Sequence, residues 1–142
     1  MGTISFTNHN VSFTLKGKST LKVFLATIFA NEGYEYKSIS YIFCSNEYLL
    51  KLNQQYLNHD TYTDILTFTL SGTSLPIISE VYISIDRVKE NATHLEIDFE
   101  DELHRVMIHG ILHLCEYSDH TKLLKQEMRE KEDHYLSLLG ST

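Results

Sequence analysis

Residues 99–115, "FEDELHRVMIHGILHLC", constrain this chain more than any other segment. Read as a helix, they carry Leu103, Val106, Met107, Ile108, Ile111, Leu112 and Leu114 around almost the whole circumference. A helix without a broad polar stripe has to be covered on several sides, so this one is central to a core. Two histidines, His109 and His113, interrupt it four residues apart, on adjacent turns of one face. Imidazoles so placed lie inside the protein or at the floor of a cleft, and each needs a partner.

The rest of the chain supplies what covers that helix. "TISFTN" alternates apolar and polar residues and reads as a strand. Ser19 precedes Leu21, Phe24, Leu25, Ile28 and Phe29, an amphipathic helix ending near Asn31 and Gly33. "SISYIFC" (38–44) is a strand, and Ser45 caps the helix "NEYLLKLNQQYL". "NHDTYT" is a turn, in which Asp60 shapes the turn and Asp64 begins the strand 64–70. A loop over 71–79 leads to the strand 80–84, and Ser84 caps "IDRVKENATHL". Asp98 and Asp101 resemble an acidic capping box for the central helix, and Thr121 caps a last helix running to about Leu139. The order β-α-β-α-β-β-α-α-α predicts an α+β fold, with a mixed sheet of about four strands packed with helices.

A length of 142 residues suits a single domain, 1–142. No stretch approaches the ~18 apolar residues of a membrane span, and "MGTISFTNHN" lacks the pattern of a secretory signal. Cys44 and Cys115 both sit in apolar runs and read as buried thiols rather than a bridge. A cytoplasmic location is expected. The net charge of −7 argues against indiscriminate nucleic-acid binding. Lys16, Lys18 and Lys22, and separately Lys122, Lys125 and Arg129, read as solvated helix faces.

Buried histidines often only hydrogen-bond to a carbonyl or a carboxylate. A pair at i, i+4 also lets two neutral imidazoles aim their nitrogens at one point ~2 Å from each, the distance of a zinc ion. Catalytic zinc sites commonly take three protein ligands, and both Asp119 and His120 follow the helix at a suitable distance. The zinc peptidase motif H-E-x-x-H needs a glutamate beside its first histidine. Here that position is Gly110, so peptidase chemistry by that route is not expected. Glycine in mid-helix costs about 1 kcal/mol relative to alanine, and here it is expected to open room beside the metal.

These residues carry a resemblance. "HGILHLCEYSDH" (109–120) resembles the H-G-x-L-H-L-x-G-[YF]-D-H signature of the YbeY family of bacterial single-strand endoribonucleases and rRNA maturation factors. "LNQQYLNHDTYTDILTF" (52–68) is similar to the family's L-N-x-x-Y-R-x-x-D-x-x-T-D-V-L-S-F, and "SEVYIS" (79–84) to its G-D-I-x-I-S. The resemblance implies a mixed sheet packed with helices and one zinc ion per chain, with His109 and His113 as its first two ligands. It also implies cleavage of single-stranded RNA, in maturation of the 3′ end of small-subunit rRNA and in ribosome quality control. Ribosomal RNA, the small ribosomal subunit and its assembly factors are the partners so implied. The competing readings are a non-enzymatic, metal-containing ribosome assembly factor and a zinc hydrolase of another substrate. Zinc lowers the pKa of bound water from 15.7 to about 7, so no side chain need act as a strong base.

Three positions depart from the family pattern. Glu116 stands where the motif has a helix-ending glycine, and Leu57 where the family often has arginine. The third ligand is Asp119 if the motif is read without a gap, which the spacing favours, and His120 if the chain bulges by one residue. His120 is then a neighbour that hydrogen-bonds the carboxylate or meets a phosphate, and His59 is a further candidate RNA contact.

Overall fold

The computed structural model describes residues 2–57 and 63–140. They form β1 (Thr3–Asn8), α1 (Lys18–Glu32), β2 (Tyr36–Cys44), α2 (Asn46–Leu57), β3 (Ile65–Thr69), β4 (Ile77–Ser84), α3 (Ile85–Leu95), α4 (Phe99–Leu114) and α5 (Lys122–Gly140). The element order and the α+β class are those the sequence predicts. The strands lie in the order β1-β2-β4-β3. β1 with β2 and β2 with β4 are parallel, while β3 runs antiparallel to β4, so the sheet is mixed.

The period-two pattern of β2 assigns the faces. Ile39, Tyr41 and Phe43 are buried in the main core with residues of α1, α4 and α5. Cys44, of the opposite parity, joins Leu49, Leu52 and Leu66 in a smaller cluster under α2. Helix α4 buries Leu103, Val106, Met107, Ile108, Ile111 and Leu112, which makes it central as its composition demands. The buried Tyr41 hydroxyl donates to the Met107 carbonyl at 2.7 Å, tying α4 to the sheet. Burial pushes that phenol far above its ordinary range, so it remains a donor.

Gly110 lies where α4 packs tightly against the sheet. A Cβ there would stand 2.9 Å from Ile65 Cδ1 and 3.2 Å from Val81 Cγ1. The glycine therefore serves helix-on-sheet packing. This corrects the reading that it opens space at a metal: it faces β3 and β4.

Three caps form as the sequence predicts: Ser45, Ser84 and Thr121 accept from the N–H groups of Tyr48, Arg87 and Leu124, each at 3.1 Å. Two starts differ. Helix α1 begins after Gly17, which is left-handed at φ 67°, leaving Ser19 inside the helix. Asp98 stands at the N-cap of α4 without a side-chain capping bond, so the acidic box does not form. Strand β4 begins at Ile77 rather than 80, because Ile77 donates to the Glu35 carbonyl and Ile78 to the Ser71 hydroxyl. Cys44 and Cys115 are free and buried. Among the described residues, no helix is long and apolar enough to cross a membrane.

Candidate metal centre

The last two turns of α4 bring His109 and His113 together, with ring centroids 4.5 Å apart and planes at 84°. The chain then reverses, and Asp119 returns to them. Its Oδ2 lies 3.7 Å from Nε2 of His109 and 3.7 Å from Nε2 of His113. Among the described residues this is the one group of three His, Cys, Asp or Glu side chains that could hold a metal ion, with ligand atoms all within 4.8 Å of one another. Ligands ~2.0–2.2 Å from a tetrahedral ion are ~3.3–3.6 Å apart. Small side-chain adjustments therefore suffice, and the donor set of two imidazoles and one carboxylate suits zinc chemistry. His109 is 17% exposed, His113 31% and Asp119 39%, so the group opens to solvent on the Asp119 side.

Each imidazole is oriented from behind through its other nitrogen. His113 Nδ1 lies 3.0 Å from the Tyr117 carbonyl, which can only accept, so Nδ1 carries the proton. His109 Nδ1 donates to Glu132 Oε2 at 2.5 Å. In the neutral form of each ring, the nitrogen left with a lone pair is Nε2, the one facing Asp119. Burial, then the neighbouring His109, push His113 below the usual imidazole range, against the opposing pull of Asp119; His120 adds a smaller push downward. His113 is thus neutral near pH 7, the form a metal requires.

Glu132 belongs to a buried charged ring that sequence reasoning missed. Arg105 donates from Nη1 to Glu132 Oε1 at 3.0 Å, and from Nη2 and Nε to the two oxygens of Glu102. Glu102 is fully buried and Glu132 is 2% exposed. Burial alone would raise the Glu132 pKa, but the His109 hydrogen bond and the Arg105 charge outweigh it and hold the carboxyl below its ordinary value. A signal was present: Leu124, Met128, Tyr135 and Leu139 set an apolar stripe along α5, and Glu132 occupies the place in that stripe where another apolar residue belongs.

The family model described as Endoribonuclease YbeY matches residues 4–140. The chain belongs to the YbeY family. An Endoribonuclease YbeY of Cytophaga hutchinsonii is 46% identical over 136 residues, covering 96% of this chain and 95% of its own. Another, from Flavobacterium psychrophilum, is 44% identical and covers 95% of each chain. The solution structure of a Thermotoga maritima protein is similar at TM-score 0.66 and 32% identity, covering 96% of this chain and 89% of its own.

Against the YbeY signature, the structure accounts for the first departure. Glu116 adopts the left-handed conformation, φ 72°, that the family's glycine would take. The Glu116 N–H donates to the His113 carbonyl and the Tyr117 N–H to that of Leu112, the paired bonds of a Schellman turn. The Glu116 carboxylate also accepts from the Tyr34 hydroxyl at 2.7 Å, which offsets part of the strain. The turn is ungapped and brings Asp119 to the imidazoles. His120 is exposed beside it, its N–H donating to the Ser118 hydroxyl. Leu57, in place of arginine, is an exposed residue at the end of α2. His59, with Asp60 and Tyr62, lies outside the described residues. Asp64 stands immediately before β3, at the entry to the strand: its carbonyl accepts from the Ser84 N–H, and its carboxylate accepts from Asn91.

Proposed function

We propose that this YbeY-family chain is a zinc-dependent hydrolase that cuts single-stranded RNA, in maturation of the 3′ end of small-subunit rRNA and in ribosome quality control. One observation carries the reading: two imidazole Nε2 lone pairs and one carboxylate oxygen converge on a single solvent-accessible point. His109, His113 and Asp119 hold one zinc ion per chain. Zinc in such a site supplies Lewis acidity toward a phosphoryl oxygen and lowers the pKa of water from 15.7 to about 7.

The chain's own residues supply position and charge. Glu132 and the Tyr117 carbonyl fix the tautomers of His109 and His113. Asp119 brings a negative charge to the ion and faces the open side. His120, exposed next to it, meets an RNA phosphate, and His59, which precedes β3 in the sequence, is a second candidate contact. Lys122, Lys125 and Arg129, exposed on α5, follow directly after this turn and favour the approach of the RNA backbone. No side chain is assigned as general base. With a net charge of −7, few phosphate contacts are available, so cleavage falls only shallowly with salt. Small-subunit assembly factors are the expected protein partners, in the cytoplasm.

Elemental analysis of the purified protein, paired with cleavage of a single-stranded RNA and of a generic ester, tests this. The expected result is one zinc per chain and RNA cleavage that stops in chelator and in His113→Ala. Asp119→Ala loses tight zinc binding and His120→Ala keeps it; the reverse establishes the bulged alignment. RNA cleavage unchanged in excess chelator rules the mechanism out. Ester cleavage without RNA cleavage points to another substrate. Zinc without any hydrolysis points to an assembly factor.

A further inference from the structure

Two helix ends meet beside the metal centre. Helix α1 closes with Gly33 left-handed at φ 79°, its N–H on the Ala30 carbonyl and that of Tyr34 on Phe29. Helix α4 closes in the same manner at Glu116. The two turns are cross-linked reciprocally. Tyr34 of the first donates its hydroxyl to Glu116 of the second, and Tyr117 of the second donates to Glu32 at the end of α1, both at 2.7 Å. Helix α5 joins through Tyr135 and Lys131, which both reach Glu32 Oε2.

We propose that Glu32 and Tyr117 are positioning residues for the metal, forming a clasp that holds the α4–α5 turn where His113 and Asp119 can ligate together. The inference rests on the reading of His109, His113 and Asp119 as a metal site. The geometry of Tyr117 carries it. The residue whose hydroxyl grips Glu32 is also the one whose carbonyl accepts from His113 Nδ1, and Asp119 follows two residues later. A turn released at the Tyr117 ring lets the carbonyl leave His113 and the carboxylate leave both imidazoles. Tyr135 contacts the same Glu32 from α5 and holds nothing in the turn. That contrast separates positioning from general stabilisation.

The test uses the full chain. Tyr117→Phe keeps the ring, and with it the Lys131 contact 5.8 Å above the ring centre, while removing the hydroxyl. Zinc affinity is measured by competition with a chromophoric chelator. The tautomer of His113 is read by nitrogen NMR in the metal-free protein, and stability by urea unfolding in chelator. Losing the partner of a ligating histidine typically weakens metal affinity 10–100-fold; acting one bond further out, Tyr117→Phe should weaken it by on the order of tenfold. It should also leave His113 a mixture of tautomers. Tyr135→Phe should lower stability with zinc affinity and tautomer unchanged, and Glu32→Gln, which retains an acceptor oxygen, should recover part of the affinity lost in Glu32→Ala. Wild-type affinity and a single His113 tautomer in Tyr117→Phe overturn the clasp. So does an equal loss of affinity in Tyr135→Phe. If the wild-type protein takes up no zinc, the metal reading fails, and the tautomer comparison alone decides the clasp.

Discussion

Glu132→Gln changes one functional group in the buried ring behind His109, and its effect follows from counting donors. Glu132 receives two, His109 Nδ1–H at 2.5 Å and Arg105 Nη1–H at 3.0 Å, one on each oxygen. Glutamine offers one oxygen and one NH2. Arg105 cannot give up its protons, so the oxygen turns to Arg105 and the NH2 to His109. His109 Nδ1 must then accept, which moves its proton to Nε2, the nitrogen that faces Asp119. In the metal-free protein a charge-assisted hydrogen bond at a position 2% exposed gives way to a neutral one, a loss on the order of 1 kcal/mol. Metal binding must in addition reverse the tautomer, so zinc affinity should fall about 10–100-fold, equivalent to ~1.4–2.7 kcal/mol. Chelator competition gives the affinity, urea unfolding in chelator the stability, and nitrogen NMR the tautomer. Glu132→Gln protein that binds zinc as tightly as wild type, with the His109 proton still on Nδ1, would refute the reasoning.

Three further outcomes are expected. Gly110→Ala gains about 1 kcal/mol of helix propensity but presses on Ile65 and the fully buried Val81, and overpacking of about 1–3 kcal/mol leaves it less stable in urea; a stabilised variant would show that α4 can lift off the sheet. Burial would raise the Glu32 pKa, but hydrogen bonds from Tyr135 and Tyr117 and the Lys131 charge hold it below 4.5. Its contribution to stability is therefore complete above pH 4.5 and is lost as the pH falls through the lower folded-state value, so Glu32→Gln should flatten the acid limb of the stability profile; identical limbs would contradict this. Zinc at a hundred times its Kd should stabilise the protein by at most ~2.7 kcal/mol, a melting rise of roughly 5–10 °C that is absent in His113→Ala.

The elements were legible because most local signals agree with the global packing. Ser45, Ser84 and Thr121 each stand directly before an amphipathic run, and each caps it. The pattern of residues 99–115 demanded a central helix, and α4 is that helix. Hidden features depend on partners distant in sequence. The start of β4 at Ile77 follows Pro76 and a serine-rich loop, and its pairing is set by Glu35, far upstream. Gly110 gave a helix penalty but no direction, since only the docked sheet shows which face it serves. In the site, the spacing of His109, His113 and Asp119 was readable along the chain. Glu132 showed only as a break in the apolar stripe of α5, and its pairing with Arg105 was hidden, because their meeting depends on how α5 lies across α4.

All three candidate ligands fall within residues 109–119, one helix end and the turn that follows it. Closing so short a ring removes little chain entropy. The contacts that define the fold are of another kind: Tyr41 of β2 pairs with Val81 of β4 across a large stretch of intervening chain. An unfolded chain with the same local H-x3-H-x5-D spacing retains some grip on the ion, which trims the linked stabilisation. Demetallation should therefore be a local event. Unlike a zinc finger, which unfolds without its ion, this domain should survive stripping and reload in place, its exchange rate set by how often residues 115–121 swing open.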